Sequence, residues 1–119
     1  MSWEIEYTDQ FEEWWITLSG PEQTAIDKAV EALQRDGPSL GRPLADAVHR
    51  SRHANMKELR PPSSTIRNLF AFDPRRSAIL LIGGDKARQW NAWYERMIPI
   101  ADQLYDDHLE ELRRKGDLP

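Results

Sequence analysis

The stretch from Asn55 to Lys86 restricts the fold of this chain more than any other. It reads as three β-strands in succession. The first is Asn55-Met56-Lys57-Glu58-Leu59-Arg60 and the second is Thr65-Ile66-Arg67-Asn68-Leu69-Phe70-Ala71-Phe72. After the turn Asp73-Pro74-Arg75-Arg76 comes the third, Ser77-Ala78-Ile79-Leu80-Leu81-Ile82. From Ala78 to Ile82 the third run is apolar on both faces, as a strand in the middle of a sheet is. Gly83-Gly84 ends it, and Asp85-Lys86 follows. Lys57, Arg60, Arg67 and Lys86 therefore fall on or at the ends of neighbouring strands. Fixed cations gathered on one sheet face suit a polyanion, because they stabilise phosphate charge without needing a metal.

Before this block, Trp3, Ile5 and Tyr7 alternate with Glu4 and Glu6, the period of a half-exposed strand. Asp9 with Glu12 signals a helix start. Phe11, Trp14, Trp15 and Leu18 then share a helical face, with Trp14 and Trp15 expected in the core. Ser19, Pro21 and Glu22 form a second start signal, and Ala25, Ile26, Ala29, Val30 and Leu33 make the apolar face of the helix it opens. Gly37-Pro38 stops that helix. Residues 38–54 read as a long connection, and connections of that length are often functional. Beyond Lys86, Trp90, Trp93 and Met97 share a helical face, and Pro99 begins or kinks the last helix. The sum is one α+β domain over residues 1–119. The helical hairpin packs on one face of a mostly antiparallel sheet, and the C-terminal helix closes an edge or end.

The formal net charge is −4, but it is unevenly spread. Residues 42–96 hold 11 Lys/Arg against 5 Asp/Glu, a local balance of +6. A basic middle is thus bracketed by acidic ends, and its local field favours an anionic partner. No run of 18 apolar residues is present, so no membrane contact is expected. The first residues are acidic and carry no apolar signal core. With no cysteine there is no disulfide and no Cys-based zinc site, in keeping with a cytoplasmic protein.

Several other residues invite a chemical reading. His49 and His53 stand four apart, a metal-ligand spacing on a helix, but no Glu follows His49 and no third ligand is near in sequence, so no metal is expected. His53 is the better candidate for an RNA contact. Gly83-Gly84-Asp85-Lys86 lacks the spacing of a phosphate-binding P-loop, and nothing else in the sequence asks for a cofactor. Trp90, Trp93 and Tyr94 could stack on bases, although helical spacing favours a core role. Arg75 and Arg76 belong to a hairpin turn, where exposed charge is ordinary.

The order strand, helix, helix, three strands, helix resembles the RelE/ParE toxin superfamily, and in particular its HigB-like, phage-derived branch. The residues that carry the resemblance are Glu58-Leu59-Arg60, Arg67, the strand Ile79-Leu80-Leu81-Ile82 and Lys86. It covers the chain from Trp3 to about Leu112. It implies a small RelE-like domain that acts as the toxin of a toxin–antitoxin pair. Such a toxin is a metal-independent endoribonuclease that cuts mRNA on the translating ribosome and is held by a cognate helix-turn-helix antitoxin. Arg60, Arg67 and Lys86 would be its active-site cations, with Lys57, His53 and Arg88 as further RNA contacts. Arginine stays charged and grips phosphate bidentately, which suits Arg67 and Arg60 to the phosphorane. A lysine beside other cations can take part in proton transfer. The same fold also carries non-enzymatic inhibitors, for example of a topoisomerase, and modules that have lost activity. The residues leave that alternative open.

Overall fold

In the structure, a computed structural model that describes residues 2–87 and 89–117, one five-stranded sheet is covered on both faces. The elements run β1 (Ile5–Tyr7), α1 (Asp9–Trp15), α2 (Gly20–Asp36), β2 (Ala45–Ala47), β3 (Met56–Leu59), β4 (Ile66–Phe72), β5 (Ala78–Asp85) and α3 (Trp90–Arg114). The spatial order is β1-β5-β4-β3-β2. β1 pairs parallel with β5 and every other pairing is antiparallel. The apolar strand expected in the middle is β5, one of the inner strands; the central position belongs to β4.

Both helical starts follow from local hydrogen bonding. Ser19 and Glu22 form the reciprocal capping box that their spacing predicts. At α1 the cap is Thr8 rather than Asp9. The Thr8 hydroxyl accepts from the Phe11 N–H at 3.0 Å and donates to the Leu81 carbonyl at 2.5 Å, so one side chain caps the helix and ties it to β5. At the far end of α2, Gly37 has a φ of +56°, and the Trp3 indole fills the space where a Cβ would stand.

The hairpin α1–α2 packs Phe11, Ala29 and Leu33 onto Leu59, Phe70, Ala78 and Leu80. The C-terminal helix does not close an edge, as the sequence led us to expect. It lies across the opposite face, where Trp93, Met97, Ile98, Ala101 and Tyr105 bury Met56, Leu69, Ala71, Ile79 and Leu81. The double covering explains why Ala78–Ile82 shows no polar face. Pro99 neither begins nor breaks α3, which runs through it. Pro99 sits on the exposed side, where water can satisfy the carbonyl that its missing N–H leaves free.

Strand β5 continues through the two glycines instead of ending there. Between Leu69↔Ile82 and Phe70↔Leu80 the register slips by one residue, so Leu81 is an extra residue in β5. The slip turns Gly83 toward Trp14 and Gly84 toward Trp93. A Cβ on Gly83 would stand 2.3 Å from the Trp14 ring, and one on Gly84 2.6 Å from Trp93 Nε1. The glycines are there because an indole packs closely against each side of the strand. Trp14 and Trp15 are only half-buried, while Trp93 is in the core.

The loop over residues 38–54 is not structureless. It holds a short 3-10 turn and the edge strand β2, whose Ala45, Asp46 and Ala47 pair with Leu59, Glu58 and Lys57. At the β4–β5 hairpin the buried Asp73 carboxylate accepts from the Arg75 and Ser77 N–H groups and from the Arg75 guanidinium, with His108 Nε2 at 2.8 Å. Burial by itself would raise the pKa of Asp73, but hydrogen bonds from His108, Arg75 and Ser77 together hold it below the usual carboxylate range. A folded-state pKa below the unfolded one gives stability that is complete above about pH 4 and is lost as pH falls through the folded value. Thermal melts of the wild type should therefore weaken below about pH 4, and Asp73→Asn should flatten that acid limb while lowering stability at pH 7.

Candidate active site

Strand alternation places Glu58, Arg60 and Arg67 on the face covered by α3. Glu58 lies at the centre of the group, 4% exposed. Its Oε1 accepts from the Tyr94 hydroxyl at 2.6 Å, and its Oε2 accepts from Arg60 Nη2 at 3.2 Å and Nε at 3.3 Å. Arg60 also stands 3.6 Å from Asp46 on β2. Arg67 donates from Nη1 to the carbonyls of Ser64 and Ile66 at 2.9 and 2.8 Å. Its Nε, 3.7 Å from Glu58 Oε1, is buried without a hydrogen-bond partner. Burial, and then the Glu58 carboxylate beside it, push the Tyr94 phenol up to about 12.

Lys86 joins this cluster from the end of β5, where its N–H bonds the Thr65 carbonyl. It is 2% exposed. Its Nζ lies 3.1 Å from the centre of the Trp90 ring and 5.6 Å from that of Tyr94. Among the described residues the ammonium meets no carboxylate within ion-pair distance. Burial, and next the Arg67 charge, hold its pKa below the ordinary lysine value. A groove of about 300 Å³ opens onto Glu58, Arg60 and Lys86, walled also by Asp46, His49, Arg50 and Trp90. A larger groove of about 510 Å³ lies elsewhere, among Tyr7, Phe11, Trp15, Ile16 and Val30. Its charged lining is acidic, Glu12 and Asp27, so it does not suit an anion.

Arg60, Arg67 and Lys86 are thus brought together, but other candidates are not. Lys57 alternates to the α1–α2 face and donates to the Pro38 carbonyl. His53 lies against Asp106, 2.7 Å away and twelve residues along α3 from Tyr94, which is about 18 Å of helix. Arg88 lies outside the described residues. Arg75 is bound to Asp73 and Glu6, and Arg76 covers Trp3. The four-residue spacing of His49 and His53 does not bring them to one site, since His49 faces the groove.

The sequence by itself assigned Glu58 no chemical role and favoured a core role for Tyr94 and Trp90 over stacking on bases. Trp90 is in fact 58% exposed. The signal for Glu58 was present, because a residue two before Arg60 on a strand shares its face. The signal for Tyr94 was its spacing of four from Trp90 on one helix. His49 and Arg50 had no such signal, because only the loop's path brings them to the groove.

Residues 13–106 match the family model for the phage-derived protein Gp49-like (DUF891). The chain is 50% identical over 100 residues to the protein named toxin HigB3 of Mycobacterium tuberculosis, covering 84% of this chain and 88% of that one. It is 52% identical over 86 residues to the protein named toxin HigB2 of the same organism, where the match spans 70% of this chain but 43% of HigB2. Among solved structures, a mutant of the Escherichia coli toxin RelE in the free state aligns with a TM-score of 0.61 at 10% identity, over 82% of this chain and 96% of that one. The RelE–RelB complex of Pyrococcus horikoshii gives 0.60 at 10% identity, over 74% and 99%. The fold is that of RelE, and the chain belongs to the phage-derived Gp49-like family, among its HigB-like toxins.

Proposed function

We propose that this protein is the toxin of a toxin–antitoxin pair and that it blocks translation by cutting mRNA on the ribosome. The observation that carries the reading is the convergence of Arg60, Arg67 and Lys86 around the buried Glu58 carboxylate, where Glu58, Arg60 and Lys86 line a groove edged by an exposed indole. RNA cleavage needs the 2′-OH deprotonated, the phosphorane charge stabilised and the 5′-oxygen protonated as it leaves. Glu58 is the group able to accept the 2′-OH proton. Arg67 and Arg60 oppose the developing charge, as preorganised donors do in a water-poor site. Lys86, its pKa lowered, gives a proton to the departing 5′-oxygen. The new bond joins the 2′-oxygen to phosphorus and the bond to the 5′-oxygen breaks, so no oxidant, metal or second substrate is called for.

The partner in this reading is a cognate helix-turn-helix antitoxin whose acidic segment covers the basic middle of the chain. Co-expression with the product of the adjacent gene should give a co-purifying complex whose affinity falls with salt, and no complex at low salt would count against this partner. Mapping RNA 5′ ends after induced expression tests the chemistry. New ends inside translated reading frames are expected. A second reading, a non-enzymatic inhibitor, draws on the state of the cations: Arg60 and Arg67 already face Glu58, and Lys86 is almost wholly covered. Growth arrest with every message intact would select it.

A further inference from the structure

Arg50 stands apart from Arg60, which also lines this groove, and from Arg42 and Arg67, which pair with residues that line it. Arg42 is paired with Asp46, Arg60 with Glu58 and Asp46, and Arg67 faces Glu58. Arg50 is exposed on the groove wall beside His49, with no ion pair among the described residues. A new anion entering the groove would meet it before any arginine already neutralised.

The two residues are also held from both sides. On one side Val48 is buried under α3, and its N–H bonds the Met56 carbonyl, which extends the β2–β3 ladder. On the other, the Ser51 hydroxyl donates to the buried Asp102 carboxylate of α3, and the Arg52 N–H donates to the same group at 3.2 Å. The Ser51 oxygen in turn accepts from the His53 N–H at 2.9 Å. Next along, Arg52 and His53 both reach Asp106. Burying a carboxylate is costly unless it is well satisfied, and Asp102 is satisfied by this loop, fifty residues away in sequence. The clip fixes the path of a segment that would otherwise be free to move, so His49 and Arg50 present their side chains in place before a ligand arrives.

We propose that Arg50 and His49 form a phosphate-binding subsite at the mouth of the groove, which takes a phosphodiester of single-stranded RNA next to the one that is cut. Ser51 and Asp102 are its positioning residues. The proposal rests on the RNA reading above but concerns binding, so it can fail separately.

The test is a titration of the full chain with a single-stranded 2′-O-methyl hexanucleotide, which cannot be cleaved, followed by NMR up to millimolar ligand at several salt concentrations. Backbone signals of residues 48–52 should move. Arg50→Ala should weaken binding about tenfold and reduce the slope of log affinity against log salt by about 0.7, the value for one lost phosphate contact on a single strand. Arg50→Lys should keep the slope, since it keeps the charge. Ser51→Ala should weaken binding, Ser51→Thr should restore it, and Ser51→Ala should add nothing to Arg50→Ala. No movement at residues 48–52, or an Arg50→Ala variant with wild-type affinity and slope, overturns the subsite. Cleavage of translated mRNA is scored separately. A wild type that binds through Arg50 but leaves mRNA whole refutes the nuclease and keeps the subsite, whereas one that cuts mRNA while Arg50→Ala binds unchanged refutes the subsite alone.

Discussion

Arg67→Ala and Lys86→Ala should each abolish growth arrest, with RNA cleavage expected to fall by about 10²–10³ for each preorganised charge lost, while the protein stays folded. The two differ in stability. Removing Arg67 leaves Glu58 still bonded to Arg60 and Tyr94, so the loss is about 1–3 kcal/mol rather than collapse. Lys86 is different, because its ammonium is buried against two aromatic rings with no carboxylate within ion-pair distance among the described residues. A cation held that way costs desolvation that the ring contact offsets only in part, about 0.5–2 kcal/mol. Lys86→Met keeps the stem's packing and removes the charge, so it should be inert yet melt no lower than wild type. A buried group whose removal raises stability is being kept for chemistry. Arg75→Ala should do the reverse. It leaves the fully buried Asp73 carboxylate short of its guanidinium but still bonded to His108 and the Ser77 N–H, and lowers stability by about 1–3 kcal/mol, with cleavage per folded molecule unchanged. Cleavage assays beside thermal melts read both quantities. Folded Arg67→Ala and Lys86→Ala variants that cut at the wild-type rate would remove these residues from the site.

Gly83→Ala and Gly84→Ala should each destabilise by about 1–3 kcal/mol, because a single methyl must displace an indole seated on the strand. At roughly 4 °C or more per kcal/mol for a domain of this size, either change is plain in a melt. Their effects on activity separate them. Gly83 faces Trp14 on the α1 side, away from the site, so the folded fraction of Gly83→Ala should cut normally. Gly84 pairs with Arg67 and lies under Trp93. Trp93 anchors the first turns of α3, which carry Trp90 and Tyr94, so Gly84→Ala should also lower cleavage. Two variants that melt like wild type would mean that the indoles are not seated on β5.

What the sequence determined by itself was whatever is written in nearest neighbours. The capping box at Ser19 and Glu22, the apolar faces of α1 and α2, the two long strands and the presence of Arg60 and Arg67 on a shared sheet all follow from short-range period and local hydrogen bonding. The tertiary structure decided what depends on surfaces that meet only after folding. β2 is three residues of Ala-Asp-Ala, with little strand preference of their own, and exists because β3 offers an edge. The glycine pair reads as a strand end until two indoles, seventy-nine residues apart, require bare backbone there. α3 could have closed an end of the sheet, but it crosses the open face because β3, β4 and β5 present Met56, Leu69, Ala71, Ile79 and Leu81 to be buried. That choice brings Tyr94 to Glu58 and Trp90 over Lys86, and it clips Ser51 to Asp102 so that Arg50 borders the same groove. The cations were legible because Arg67 sits on a strand and Arg60 and Lys86 directly follow one, where the period is two. Their surroundings were not, since the pairing of Glu58, the covering of Lys86 and the placing of Arg50 all depend on which helix face lands on which sheet face.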